Sequence, residues 1–452
     1  MSDPTIATTA QAAADIGRAA RQRVPRSALG SWAAAHDRVD PISVLEQQAA
    51  TRVPELVPIR YARMAAAQFP FLRGAPAIMA ADLACSPNTG LTVQLCGDAH
   101  LSNFGLFASP ERALVFDLND FDETLPGPFE WDVKRLVASI AVAARANSGD
   151  DADARQSAEA AARSYRESMN RLSGLDELSV WYEQVDAEQV AALVAKPKHR
   201  KGVEKALTQA KSNTSLQALG KLTEAGPDGI PRIRSRPPLL TPIEKVDSLA
   251  LDHVFADYRR TLAEERRVLL ERHRVLDIAR KVVGVGSVGT RCFIVLLAGQ
   301  QTGNPLFLQV KEAEQSVLAP HTKRSRFRHH GHRVVNGQRL IQASGDIFLG
   351  WATGPDGRNY YLRQLRDMKG SAVIDDMSRT ALRRYSALCG HTLARAHARS
   401  GDRIAIAAYL GTGDAFDRAM GEFALAYADQ TIADHRALLA AIESGRVPAT
   451  ID

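Results

Sequence analysis

Between residues 276 and 368 the chain changes character, and that change restricts the folds open to it. Residues 280–297 are rich in Val and Ile but interrupted by glycines, and 306–310 is a second apolar run; turn chemistry at 299–305 between them predicts a hairpin. Residues 347–351 and 360–365 predict two more strands, joined by the turn-rich 353–357. Helical spacing dominates on both sides, over 40–85, 130–147, 150–225, about 243–275 and 374–445, with a Pro/Gly-rich connector at 227–242. Two short strands, 91–95 and 113–116, lie between the first two helical stretches. A β-rich unit enclosed by helical sequence predicts an α+β fold.

A chain of 452 residues suggests two or three structural units, and 45% hydrophobic residues suffice for a sizeable core. Net charge is +6, from 57 basic and 51 acidic residues. That weak bias suits an anionic small ligand; without a basic stripe interleaved with aromatics it predicts no nucleic-acid partner. Cys85, Cys96, Cys292 and Cys389 form no Cys-x-x-Cys pair, which argues against a zinc ribbon or a disulfide framework and for reduced thiols. Residues 1–15 lack a basic segment followed by an apolar one, and no run approaches about 18 apolar residues, so neither a signal peptide nor a membrane span is expected. The expectation is a cytoplasmic protein with a loose tail over 1–20.

Two constellations carry chemistry. In the first, the strand 91–95 runs into a tight loop with Asp98 and, five residues on, Asn103; the strand 113–116 then leads to Asp117 and Asp120. One carboxylate to orient and deprotonate a hydroxyl, with an amide and a second carboxylate as hard oxygen donors, is what Mg²⁺-dependent phosphoryl transfer requires. Asp98-x-x-x-x-Asn103 resembles the kinase catalytic loop, and His100 two residues after Asp98 resembles its aminoglycoside-phosphotransferase form. In those enzymes a Gly seven residues after the metal-binding Asp is followed by a helix-opening Asp at twelve; Asp120, Gly127 and Asp132 match both offsets. Strand length measured from Asn103 favours Asp117 instead, so both remain candidate Mg²⁺ ligands beside Asn103.

The second constellation is Gly284, Gly286, Ser287 and Gly289, followed by β-forming residues 290–297 rather than a helix. A glycine loop between two strands resembles the kinase loop that covers ATP phosphates, and Lys311 at the end of the next strand resembles the lysine that holds them. A dinucleotide-binding loop would need a helix there. The expected helix at 332–343 carries Asn336 and Gln338 where a carboxylate partner for Lys311 is sought, so either Glu314 or amide oxygens are left to hold it. The helix at 388–397 resembles the one that normally precedes the catalytic loop, which would bring its end beside the strand 91–95.

The motifs run in an order the reverse of that in kinases, catalytic Asp first and glycine loop second. The resemblance therefore implies a kinase-like, two-lobed, circularly permuted α+β fold: a helical lobe at 21–275, a β-rich nucleotide lobe at 276–370 and C-terminal helices at 371–452 that complete the helical lobe. Phe71-Leu72-Arg73-Gly74, the loop Gly97–Gly105, Asn119-Asp120-Phe121-Asp122, Gly337-Gln338-Arg339-Leu340 and the segment 363–369 resemble the bacterial family catalogued as domain of unknown function 2252, over roughly residues 20–430. That resemblance implies membership and fold but no substrate.

The expectations are ATP and Mg²⁺ as cofactors, a nucleotide and an unidentified hydroxyl acceptor as partners, and phosphotransfer as the reaction. A non-catalytic nucleotide-binding regulator is the alternative, nucleotidyl transfer a variant, and a metal-dependent phosphoesterase using Asp98, His100, Asp117 and Asp120 a third reading. The basic segment 323–333 reads as a solvated helix entry, 196–211 as an exposed helical face, and His391 and His397 as packing or capping residues. Arg73 suits either a phosphate anchor or a helix cap.

Overall fold

The structure, a computed structural model, describes residues 4–147, 149–186, 188–190, 207–212, 215–243, 248–365, 368–375 and 377–451. Helix makes up 51% and strand 16%, and the strands form several separate sheets, so the fold is α+β.

The helical part begins with α1 (Pro4–Arg23), α2 (Pro41–Ala49), α3 (Val57–Ala65), α4 (Gln68–Gly74) and α5 (Pro76–Ala84). At its centre is α6 (Phe129–Ala146), buried at every position from Phe129 to Ala144. A helix buried on every face must be enclosed by other elements. It packs against α7 (Asp151–Leu172) and, further along the chain, α13 (Arg379–Ala398) and α15 (Ala415–Glu443), with α14 (Arg403–Leu410) closing the bundle beside α1 and α7. α7 and α13 meet closely because Gly390 has no side chain: a Cβ there would lie 2.1 Å from the Ala161 carbonyl oxygen.

The first strands serve this bundle. β1 (Thr92–Leu95) pairs with β4 (Leu125–Pro128), and β2 (Phe104–Ala108) pairs with β3 (Leu114–Leu118) in a sheet completed by β5 (Val185–Asp186) and the late strand β14 (Gly370–Ser371). The β1–β4 pair and the β2–β3 hairpin anchor both ends of two loops, 96–103 and 119–124, and hold them side by side.

After α8 (Glu177–Tyr182), α9 (Ser215–Leu222), the small hairpin β6 (Thr223–Ala225) and β7 (Pro231–Ile233), β8 (Leu240–Pro242), α10 (Ser248–Arg260) and α11 (Glu264–Glu271), the remaining strands build one antiparallel sheet. β9 (His273–Lys281), β10 (Cys292–Gly299), β11 (Pro305–Glu312), β12 (Gly350–Thr353) and β13 (Asn359–Gln364) join β8 in the order β12-β13-β11-β10-β9-β8. Alternation along β10 and β11 splits the buried side chains between two faces. Val295, Leu297, Leu306 and Leu308 pack with Phe255 and Tyr258 of α10, while Ile294, Leu296 and Phe307 pack with Ala218 of α9. Helix α12 (His330–Ile341) connects β11 to β12.

Three expectations change. Of the tail expected at 1–20, residues 1–3 lie outside the described residues and the rest is not loose: α1 covers Pro4–Arg23, and its second half docks through Ala20, which is fully buried, Gly17 against α14, and Arg21, whose Nε donates to the Tyr409 carbonyl at 2.8 Å. One helix at 243–275 is replaced by two, and the next strand starts at His273 instead of near residue 280. The Thr261 hydroxyl returns to the Tyr258 carbonyl (2.7 Å) and accepts the Trp351 N–H (3.1 Å), so tertiary bonding to a strand stops α10 there. Of the basic run at 196–211, residues 196–206 lie outside the described residues, as do 366–367 of the segment 363–369. Among the described residues, no helix is long and apolar enough to cross a membrane.

Candidate functional site

The loop after β1 is shaped by one glycine and one buried carboxylate. Gly97 has φ +88°, and a Cβ there would lie 2.4 Å from the Glu123 carbonyl oxygen, so no other residue fits. Asp132, in the first turn of α6, accepts the N–H groups of Cys96 (2.7 Å) and Gly97 (3.0 Å). His397 Nε2 lies 3.2 Å from the same carboxylate, and its Nδ1 lies 2.8 Å from the Tyr165 hydroxyl. His397 thus braces the loop from the buried side, as its packing role predicts. The neighbouring Ser400 hydroxyl accepts the Gln94 N–H at 3.0 Å, which sets the end of α13 beside β1.

These braces present Asp98 to a cleft. Its carboxylate accepts from Arg135 Nε (2.8 Å), lies 2.7 Å from Nη2 in the same ion pair, and is 23% exposed. Arg135 is anchored by the Leu72 carbonyl at 2.7 Å, which fixes the fork that aims Asp98. His100 Nε2 lies 3.6 Å from Asp98, and burial pushes the imidazole down to about 4, so it is neutral at pH 7.

Asn103 and Asp117 have other work. The Asn103 amide donates to the carbonyls of Asp98 (3.0 Å) and Asp120 (2.9 Å), and its oxygen accepts the N–H groups of Asp120 (2.7 Å) and Asn119 (3.3 Å). It is a buried cross-tie between the two loops, with both oxygen lone pairs engaged. Asp117 is fully buried on β3, where it accepts from Arg395 Nη2 (2.5 Å) and the Ala343 N–H (2.7 Å). The strand pleat turns it away from the cleft, which corrects its candidacy as a metal ligand and removes a donor from the two-metal phosphoesterase reading.

Asp120 does face the cleft, its side chain 43% exposed, and it meets Lys311 from the six-stranded sheet: Nζ lies 3.2 Å from the carboxylate. The same ammonium pairs with Asp122, whose other oxygen accepts the Tyr361 hydroxyl at 2.7 Å. Register places Lys311 between Cys292 and Tyr361, so its side chain leaves the same sheet position as the tyrosine that shares its acid. Burial opposes the charge on Lys311, but Asp120 and Asp122 reverse this and raise it well above the ordinary lysine range. Burial would likewise raise Asp120, yet Lys311, Arg363 and Lys369 outweigh it and hold this carboxyl below the usual range. Asp122 goes the other way: burial and the neighbouring Asp120 charge raise it.

The acid on Lys311 is therefore neither Glu314 nor an amide. Helix α12 supplies instead Arg333, which donates to the carbonyls of Thr124 (2.7 Å), Asp122 (2.8 Å) and Glu314 (2.8 Å) and so clamps the acidic loop against the end of β11. Glu312 is taken by Arg358 (2.8 Å) and Arg291 (3.3 Å).

The glycine loop closes one side. Gly284 and Gly289 have φ of +66° and +89°, and Gly286 lies so near Arg73 that a Cβ would be 3.1 Å from the Arg73 carbonyl oxygen. Ser287 reaches Asp122 at 3.5 Å. The enclosed cleft measures about 430 Å³ and is lined by Asp98, Asp120, Asp122, Gly284, Gly286 and Ser287, with Arg73, Arg363 and Lys369 as facing cations. Lys311 lies beneath the two acids rather than in the lining. Such a volume admits a small organic ligand, and its mixed charge suits an anion that carries a cation with it.

Sequence spacing singled out Asp98, Asp120, Asp132, Lys311 and the glycines, and the structure gathers Asp98, Asp120, Gly284, Gly286 and Ser287 along this cleft. It missed Asp122, Arg135, Arg333, Arg363 and Tyr361. Arg135 stands one helical turn after Asp132, on the same side of α6, a spacing that could have pointed to it.

Among the described residues no group of three or more His, Cys, Asp or Glu is arranged to hold a metal ion. Mg²⁺ does not require one, since one or two carboxylates with phosphate oxygens and water satisfy it. Asp120 fits that demand; Asn103 and Asp117, as bonded here, do not.

Residues 52–441 match a family model described as an uncharacterized protein conserved in bacteria, DUF2252. No curated protein and no solved structure matches the chain.

Proposed function

The chain belongs to the DUF2252 family, whose description names no reaction, and from the cleft itself we propose that it is an ATP–Mg²⁺-dependent phosphotransferase acting on a hydroxyl acceptor. One observation carries this reading. The loop bearing Asp98 and Asp120 and the sheet bearing Lys311 and the glycine loop come from opposite halves of the sequence, and they meet at one cleft.

In this reading Asp98, held by Arg135, takes the proton of the acceptor hydroxyl as its oxygen attacks the terminal phosphorus and the bond to the β-phosphate oxygen breaks. The amides of Gly284, Gly286 and Ser287, which line the cleft, hold the phosphates, while Gly289 lies outside the lining and Lys311 acts from beneath Asp120 and Asp122. Asp120 holds Mg²⁺, which when bound neutralises charge on the phosphate oxygens. Asn103 keeps the Asp98 and Asp120 loops in register. The antiparallel sheet with its glycine loop between β9 and β10, and the end of α13 beside β1, support a kinase-like two-lobed fold in circularly permuted order.

A second reading, a nucleotide-binding regulator without turnover, is favoured by the Asn103 oxygen, which is already bonded to two backbone N–H groups. Calorimetry of ATP binding, with and without Mg²⁺, on wild type and Asp120→Ala tests both. Mg²⁺-dependent binding lost in the variant supports the cleft, and acceptor-dependent ADP release then separates enzyme from regulator. Failure of every adenine and guanine nucleotide to bind removes both.

A further inference from the structure

Buried guanidiniums in this protein generally face a carboxylate. Arg38 pairs with Asp82 and Asp434, Arg166 with Asp417, Arg395 with Asp117 and Arg135 with Asp98. Three arginines beside the cleft depart from this, as does Arg333, which instead donates to three backbone carbonyls. Among the described residues, Arg52, Arg60 and Arg73 make no ion pair, and their Nε atoms, with Nη1 of Arg60, are buried without any hydrogen-bond acceptor.

Their placement is specific. Arg52 and Arg73 line the cleft together with Gln48, Thr51 and Gly74. Arg60 is fully buried directly behind that wall, where one amino group donates to Gln48 Oε1 (3.0 Å) and to the Gly74 carbonyl (2.9 Å). Arg52 bonds the Val288 carbonyl of the glycine loop, and the Arg73 backbone abuts Gly286. Burial weakens the charge on all three, and Arg52 weakens Arg60 further. Three desolvated like charges without an ion pair are costly on their own, and a dianion in the cleft against Arg52 and Arg73 is the compensation that chemistry offers.

We propose that Arg52 and Arg73, backed by the buried charge of Arg60, form a receptor for a phosphate monoester group carried by the acceptor, so that the substrate is a phosphorylated hydroxy compound. This rests on the phosphotransferase reading. Guanidinium forks match the oxygens of a phosphate, and a cluster of three suits a dianion better than a monoanionic carboxylate. The acceptor side is indicated by Arg135, which links the Asp98 carboxylate (2.8 Å) to the carbonyl of Leu72 (2.7 Å), the residue before Arg73. Asp120 has a cation of its own, Lys311 from the six-stranded sheet, at 3.2 Å.

The test is calorimetric titration of inorganic phosphate into the full chain, with acetate as control, in wild type, Arg73→Gln, Arg60→Gln and Lys311→Met. The receptor predicts phosphate binding that acetate does not reproduce, that weakens about tenfold or more in Arg73→Gln and Arg60→Gln, and that survives in Lys311→Met and under a saturating non-hydrolysable ATP analogue with Mg²⁺. Arg73 is partly exposed, so its variant reports even where Arg60→Gln fails to fold. Absence of phosphate binding in wild type, equal binding of acetate, or loss of phosphate binding in Lys311→Met or under the analogue each overturns the proposal. The last would assign these arginines to the nucleotide tail. Phosphate binding without any nucleotide binding keeps the receptor and removes the phosphotransferase reading.

Discussion

The Lys311 ammonium lies 3.2 Å from the Asp120 carboxylate across 191 residues of sequence, and it pairs at the same time with Asp122. Two acids on one buried lysine leave a net negative charge, which accounts for the opposite directions taken by the two carboxyls. Lys311→Met removes the cation and raises both. A carboxyl whose pKa is higher folded than unfolded contributes stability at low pH and loses it as pH rises through the folded value. Lys311→Met is therefore expected to cost about 2 kcal/mol at pH 8, since Asp120 is partly solvated, and clearly less at pH 5. Urea denaturation at the two pH values measures this; a loss equal at both would show that the acids do not depend on Lys311.

Asp98 offers a cleaner probe of chemistry than of folding. Asp98→Asn keeps an oxygen for the Arg135 fork, so the loop should hold its shape and the melting temperature should change little. If Asp98 takes the acceptor proton, turnover falls by roughly 10²–10⁴-fold with nucleotide affinity retained. Asp98→Ala is less informative, because it also leaves the buried Arg135 without its acid. Unchanged turnover in Asp98→Asn would end its assignment as the base.

Asp117 and Asp120 sit three residues apart and should respond in opposite ways. Asp117→Asn breaks a fully buried pair with Arg395 and is expected to cost about 3–5 kcal/mol of stability while leaving nucleotide affinity of the folded protein unchanged. Asp120→Asn is expected to be mild in stability and to abolish the Mg²⁺ dependence of binding. Parallel denaturation and calorimetry of the two variants decide between them; the reverse pattern would move the metal site to Asp117.

What was legible in the sequence follows from the range of the signals. Asp98, Asn103, Asp120 and Asp132 stand at fixed short offsets because one loop, one hairpin and one helix start connect them, so their spacing could be matched to the kinase-like motif it resembles. Spacing could not choose between Asp117 and Asp120, since strand register at β3 decides which carboxylate meets the cleft. Nor could it show that the Asn103 oxygen is used by the Asp120 and Asn119 amides, a bond made only when the two loops lie together. Lys311 was visible from its strand, but its acids were not, because they come from a loop nearly two hundred positions earlier. The break at Thr261 was hidden for the same reason: the group that stops α10 is the Trp351 N–H on β12.

His100 supplies the pH signature. It is 7% exposed with no partner on Nδ1, and burial, reinforced by Arg73 and Arg135 and opposed by Asp98, lowers it from 6.5 to about 4. The unfolded chain takes up this proton first as pH falls, so the stability His100 confers is complete above about pH 6.5 and is lost on the way down to about pH 4. At 1.36 kcal/mol per pH unit that loss is about 3 kcal/mol in wild type. His100→Gln cannot titrate, so its stability should fall by about that much less between pH 7 and pH 4. Imidazole proton resonances should, for the same reason, show no His100 titration above about pH 5. A titration near 6.5 would mean that water reaches the ring, and the neutral His100 beside Asp98 would have to be given up.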